Sequence, residues 1–243
     1  MSGHSKWATT KHKKAIVDAK RSKTFTKVAK LITVAARDGK SDDPEMNPGL
    51  RLAIDNAKAV GMPKDNIDRA IKRGFGNSAD SAALEEITYE AYAPGGVAIL
   101  IECLTDNKNR ALSELKNVLN KNGGSFASGG SVAYLFKKVG QIIIDRDANA
   151  FSNEELEMTI IDSGADDFDA DDGIYIVTCD YAKLDEVKKN LQSSGLTIGS
   201  AEIIQSPQNY IDVNDDRKES LEKLLELLDE LDDVSSVYSN ANL

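Results

Sequence analysis

Residues 87–105 read ITYEAYAPGGVAILIECLT. Ile87 to Ala93 and Val97 to Leu104 alternate as strands around the turn Pro94-Gly95-Gly96. This stretch decides the fold, because the pattern before it is helical. Ser22 can cap a helix reaching about Arg37, with Phe25, Val28, Ala29, Ile32, Ala35 and Ala36 at i, i+3, i+4, i+7 spacing and Gly39 ending it. Asn47-Pro48 supplies an N-cap and a first-turn proline for a helix to about Val60, closed by Gly61. Pro63 opens another, with Ile67, Ala70 and Ile71 inward, stopping at Gly74. Short amphipathic helices bury their stripes only against one another, so a small bundle is expected. Phe75 to Ala83, rich in Gly, Ser, Asn and Ala, reads as the linker at which the period changes.

Beyond the hairpin, Asp106 or Asn107 can cap a helix from Asn109 to about Lys121 with Leu112, Leu115, Val118 and Leu119 inward. A strand is expected over Ser131 to Phe136. A second αβ unit follows: strand Gln141–Asp145, helix Glu154–Asp162, strand Ile174–Cys179, helix Ala182–Gln192 and strand Ala201–Gln205. The run Gly96–Cys103 with its helix ending at Gly123 parallels Gly173–Cys179 with its helix ending at Gly195, as two strand-then-helix halves of a split βαβ layout. Tyr210–Val213 reads as a short strand, Asn214 to about Leu231 as a leucine-faced helix, and Val234–Ser239 as a last strand. Too few strands precede Phe136 to complete a sheet, so the tail is expected to finish it. The predicted fold is α+β with three domains, a three-helix bundle and two αβ domains of ferredoxin-like split βαβ character, the third inserted in the second. The expected boundaries are 1–78 for the basic helical domain, 79–138 with 207–243 for the discontinuous domain, and 139–206 for the insert.

Charge divides the 243-residue chain along the same line. Residues 1–73 hold 17 Lys and Arg against 8 Asp and Glu, whereas the remainder holds 13 against 32. An electrostatic footprint confined to one end suits a polyanion that touches one face. Met1 to Lys30 concentrates that footprint: Lys6, Lys11, Lys13, Lys14, Lys20, Arg21, Lys23, Lys27 and Lys30, with Asp18 as the lone acid and with Trp7, His4 and His12. Cations release counterions from a phosphate backbone, and a flat ring can stack on a base. Met1 to about Thr10 reads as an arm and Thr10–Lys20 as a short basic helix. Trp7 has two readings, a base-stacking ring on the arm or a plug in its own domain.

These motifs resemble a known family. Gly3-His4-Ser5-Lys6-Trp7, Lys11-His12-Lys13-Lys14, Phe25-Thr26-Lys27, Ile32 to Arg37, Met62 to Ile67 and Ala70 to Gly74 are similar to the N-terminal signature of the YebC/PmpR group. That group includes the mitochondrial translational activator of cytochrome c oxidase subunit I. Tyr89 to Val97, Thr105 to Arg110 and Gly130 to Phe136 are similar to its second-domain motifs. The resemblance is collinear to about Phe136. It implies a three-domain soluble protein without enzymatic activity, of a group known as probable DNA-binding transcriptional regulators, some acting in translation at the ribosome.

Other chemistry finds little support. Gly124 to Ser131 nearly matches a phosphate loop, but Gly130 stands where the lysine belongs, and the helix precedes rather than follows. It reads as a flexible connector. The acidic run Asp166, Asp167, Asp169, Asp171, Asp172 has Asp172 where a calcium loop needs Gly and Thr178 where it needs Glu, and so reads as a solvated turn. His4 and His12 are too far apart for one helical metal pair, and neither has a nucleophile and orienting acid beside it. They serve as polar contacts in the basic surface or as bystanders. Cys103 and Cys179 sit in apolar runs as buried thiols, fitting a reducing compartment.

The sequence therefore leads us to expect a non-enzymatic, monomeric, cytoplasmic bacterial protein with no metal, cofactor, membrane span or small-molecule substrate. Its expected nucleic-acid contacts are Lys6, Trp7, Lys11, His12, Lys13, Lys14, Lys20, Arg21, Lys23 and Lys27. Three functions stay open: a DNA-binding transcriptional regulator, a translation factor on ribosomal RNA or mRNA, and an adaptor whose basic end docks an acidic partner.

Overall fold

A computed structural model describes residues 21–76, 84–171 and 173–243. The arm at Met1–Thr10, the helix expected over Thr10–Lys20, most of the linker and Asp172 lie outside the described residues. Helix α1 spans Arg21–Asp38, α2 Pro48–Ala59 and α3 Lys64–Phe75. Their expected stripes meet: Ile32, Ala36, Leu50, Ile54, Ala57, Met62, Ile67 and Ala70 are buried in one core. Two details set the packing. Asn47 accepts from Leu50 N at 3.0 Å and donates to Ala35 O at 2.9 Å, so one side chain caps both the start of α2 and the end of α1. Gly74 lets α3 cross close to α1, since a Cβ there would lie 2.1 Å from Thr33 O. Pro63 opens α3 from its N-cap position.

The hairpin forms as expected, with β1 over Glu85–Tyr92 and β2 over Ala98–Thr105, antiparallel from Glu85↔Thr105 to Tyr92↔Ala98. Next come α4 (Lys108–Lys121), capped by Asn107, and the short β3 (Ser125–Phe126). The chain returns to this sheet at its end through α7 (Asp215–Asp229) and β9 (Val234–Ser239). The strand order is β3-β1-β2-β9, so the tail completes the first αβ sheet. Leu221, Leu224, Leu225 and Leu228 of α7 join Leu115 and Leu119 of α4 over Ile99, Ile101 and Val237. The leucine face is core. Asn214 makes no side-chain cap bond, and Ile211–Asp212 (β8) pairs parallel with Ala241–Asn242 (β10) in a small separate sheet.

One expected strand is replaced. Ser131–Phe136 instead contains a 3₁₀ turn at Ala133–Leu135, and β4 then runs unbroken over Phe136–Asp145. The alternation that imitated a strand comes from Val132 and Phe136, which cover the second face of the sheet against Ala98 and Leu100 while Tyr134 is exposed. The Glu90 carboxylate fixes this turn. It accepts from Gly130 N and Val132 N at 2.5 Å and from Ala133 N at 3.0 Å.

The third domain continues with α5 (Asn153–Asp162), β5 (Asp167–Asp171), β6 (Ile174–Cys179), α6 (Leu184–Ser193) and β7 (Ser200–Pro207). Its sheet order is β5-β6-β4-β7, the arrangement of a βαββαβ ferredoxin-like unit. The acidic run expected as a turn is the edge strand β5, paired antiparallel with β6 from Asp167↔Thr178 to Asp171↔Ile174. Phe168, beside Tyr175 with ring centroids 6.1 Å apart, supplies its packing, and its carboxylates discourage edge-to-edge association. The internal echo holds in the backbone as well: Gly123 at φ 74° and Gly195 at φ 91° both follow their helices in the left-handed region.

The fold is thus α+β with three domains, the third inserted in the second. Two compact units contain them: Lys137–Ser206 alone, and the described residues up to Phe136 together with Pro207–Leu243. Among the described residues, no helix is long and apolar enough to cross a membrane, and no three His, Cys, Asp or Glu side chains converge as metal ligands.

Candidate nucleic-acid interface

Of the nine surplus positive charges in residues 1–73, six belong to residues 1–23. Lys6, Trp7, Lys11, His12, Lys13, Lys14 and Lys20, with His4, therefore lie outside the described residues. Arg21 and Lys23 occupy the first turn of α1. Lys27 is the candidate whose side chain can be followed, and it is bound within the protein. Its ammonium donates to Asp229 O and lies 3.8 Å from the Asp229 carboxylate, with only 16% of the side chain exposed. In this arrangement Lys27 serves the fold.

Lys27 is part of a seam. One turn on, Lys30 Nζ donates to Leu104 O at 3.1 Å, Asp232 O at 2.9 Å and Asp233 Oδ1 at 3.0 Å. Arg37 donates to Leu84 O at 2.6 Å. Positions 27, 30 and 37 share one face of α1, so that face carries the bundle's cations to the discontinuous αβ domain. Asp233 is the hub. Arg110 of α4 reaches its other oxygen through Nε at 3.0 Å and Nη2 at 2.7 Å, and the Asp233 side chain is 4% exposed. Burial alone would raise the Asp233 carboxyl, but the hydrogen bonds from Arg110 and Lys30 outweigh it and hold it below its ordinary value. Nothing in the sequence around the linker marks these polar contacts, because Asp229 and Asp233 lie about two hundred residues beyond Lys27 and Lys30.

Around α1 from that seam lies a groove between α1 and α3, of roughly 430 Å³. Phe25, Ala29 and the Lys30 stem line it from α1, and Met62, Asn66, Arg69, Ala70 and Arg73 line it from α3 and the turn before it. Among the described residues, no lining residue is acidic. Arg69 donates to Asp65 O at 3.1 Å and to the Asn66 side-chain oxygen, both neutral acceptors, so these bonds orient the guanidinium without neutralising it. The sequence reading missed this pair. Arg69 and Arg73, four apart on one helix, were visible, but only the α1–α3 crossing sets them beside Phe25 and Ala29.

Other features are poor matches to a polyanion. The glycine-rich loop that imitates a phosphate loop already gives the N–H groups of Gly130, Val132 and Ala133 to Glu90. Burial would raise that carboxyl, and these bonds together lower it. A groove on the third domain, lined by Phe151, Glu154, Glu155, Met158 and Thr159, carries two carboxylates. Burial pushes the Cys103 thiol up to about 12 and the Cys179 thiol up to about 11, which leaves both poor nucleophiles.

Residues 5–77 match the family model for the TACO1/YebC protein N-terminal domain, and residues 84–241 match the model for the TACO1/YebC second and third domain. A probable transcriptional regulatory protein of Halothermothrix orenii is 46% identical over 244 residues, covering 100% of this chain and 96% of the relative. Another protein of that name, from Listeria monocytogenes, is 44% identical over 243 residues, covering 100% of both. A crystal structure of a conserved hypothetical protein from Aquifex aeolicus superposes with a TM-score of 0.85 at 40% identity, covering 92% of this chain and 91% of that one.

Proposed function

Because the chain belongs to the TACO1/YebC family, we propose that it is a non-enzymatic, nucleic-acid-binding regulator of gene expression that works as a cytoplasmic monomer through residues 1–78. One observation carries the reading. The net positive charge is confined to the N-terminal third, while the rest of the chain is strongly acidic. A polyanion is attracted to one end and repelled from the other. The name that these relatives carry, probable transcriptional regulatory protein, supports a regulatory role. Trp7 beside the lysines suits an unpaired base, which favours RNA and a role in translation over duplex DNA.

Crosslinking in cells followed by sequencing of the bound nucleic acid tests the reading. Ribosomal RNA or mRNA places the protein in translation, promoter DNA places it in transcription, and recovery of neither leaves the adaptor. In vitro, Lys13→Glu with Lys14→Glu should shallow the salt dependence of binding, each lost phosphate contact removing about 0.7–0.9 from the slope of log K on log salt. Trp7→Ala should weaken single-stranded ligands by about 1–3 kcal/mol with little change in that slope. Should the double variant bind as the parent does, the basic run is a solvated face and the reading fails.

A further inference from the structure

We propose that the outer face of α5, in the third domain, docks a lysine- or arginine-rich amphipathic helix presented by a partner protein. The inference goes beyond nucleic-acid binding and uses none of the residues assigned to it. Helix α5 already satisfies its own core. Leu156 and Ile160 are fully buried, and Ser152 with Glu155 closes a capping box at its start. What the helix turns outward is partly apolar. Met158 is 58% and Ile161 57% exposed, and at three residues apart they are neighbours on one face. Met158 also lines the groove of roughly 410 Å³ that it shares with Phe151, Glu154, Glu155 and Thr159. Exposed apolar side chains at a concavity, rimmed by charge, mark an interaction surface. A methionine at its centre can adapt to the shape of what covers it.

The surrounding charge selects the occupant. The helical neighbours of Met158, three and four residues to either side, are Glu154, Glu155, Ile161 and Asp162, one apolar and the others acidic. Glu155 accepts from Ser152 N at 2.9 Å and from Ser152 Oγ at 2.8 Å, and these bonds lower its carboxyl and keep it charged. Glu154 and Glu155 suit the first turn of a helix. Asp162 stands in the last turn, where the helix dipole disfavours a carboxylate, so it serves a cation from outside better than it serves the helix. The acidity extends through the unit, since residues 137–206 hold 15 Asp and Glu against 6 Lys and Arg. An apolar strip with acidic flanks is complementary to a helix carrying apolar anchors at i, i+3 and i+4 with cations beside them. The same flanks repel a phosphate backbone, which makes a protein the occupant.

The test uses the full chain and fluorescence anisotropy with a labelled helical peptide of leucine and lysine, its leucines at i, i+3, i+4 and i+7. A scrambled peptide of the same composition is the control. Met158→Ser with Ile161→Ser should weaken the patterned peptide about tenfold or more, as loss of apolar anchors does. Met158→Leu should keep the parent's affinity. Glu154→Lys with Asp162→Lys should weaken the peptide as much and reduce its dependence on salt. Glu219→Lys with Glu222→Lys places the same charge change on α7 and should alter the affinity less than about twofold. Carbodiimide crosslinking should join peptide lysines to Glu154, Glu155 or Asp162. A melting temperature like the parent's shows that each variant folds. No binding of the patterned peptide overturns the proposal, as does parent-like affinity in both α5 double variants. Equal binding of the scrambled peptide, or equal loss in the α7 variant, shows general attraction to an acidic protein and overturns the face. A dimer in sedimentation that Met158→Ser with Ile161→Ser disperses assigns the face to a second copy and overturns the partner.

Discussion

Asp233→Asn removes one charge from the hub joining three elements, and its cost follows from the geometry. The Asp233 side chain is 4% exposed and bonds Lys30 on one oxygen and Arg110 on the other. Removing one partner of a buried ion pair costs about 3–5 kcal/mol. Here Lys30 is 21% and Arg110 45% exposed, so water recovers part of the loss. Asparagine also keeps one acceptor oxygen but turns an amide N–H₂ towards cationic donors. We expect a loss of about 2–3 kcal/mol. For a chain of this length that lowers the melting temperature by roughly 5–10 °C. Calorimetry is the suitable assay because compact units can melt separately, and the shift should fall on the unit that contains β9. The pH dependence gives a second readout. The folded carboxyl lies below its ordinary value, so between the two values the unfolded chain binds more protons and stability rises with pH. The contribution is complete above the ordinary aspartate value and is lost as pH falls through the folded one. Asp233→Asn should therefore flatten the acid limb. A variant that melts within about 1 °C of the parent and keeps the parent's acid limb would refute the hub.

Glu90→Gln should cost about 2–4 kcal/mol, because three backbone N–H groups lose a carboxylate and one meets an amide donor; urea denaturation measures the loss, and hydrogen exchange at Gly130, Val132 and Ala133 should quicken. Its sign with pH matches that of Asp233: the folded carboxyl is depressed, so the stabilisation is present above the ordinary glutamate value and disappears below the folded one. Gly74→Ala should destabilise the bundle by about 1–3 kcal/mol, because the new methyl would lie 2.1 Å from Thr33 O and force α1 and α3 apart. Thermal melting checks it, and a midpoint equal to the parent's would show that the crossing tolerates a side chain.

Much of the architecture is local in origin and was legible in the residues. Asn47-Pro48 begins a helix because an amide side chain can cap and a proline needs no donor there. The strands Ile174–Cys179 and Val234–Ser239 have the bounds that their patterns predict. The split of charge between the two ends needs no structure, since it is a property of composition. Even the return of the tail to the first sheet follows from counting strands. Other features depend on partners far along the chain. Asp167–Asp171 is a strand because β6 offers an edge and Phe168 a packing partner, although its composition reads as a turn. Ser131–Phe136 gives up its apparent strand because Glu90, some forty residues earlier, collects its N–H groups. Lys27 and Lys30 look identical to the lysines before them, yet Asp229 and Asp233, about two hundred residues later, engage them inside the protein. Arg69 and Arg73 gain a groove only when α3 crosses α1 at Gly74. Helix caps and periodicity act over a few residues and so are written locally. The destination of a charge is decided by which opposite charge or carbonyl the folded chain brings within hydrogen-bond reach, and that distance exists only in three dimensions.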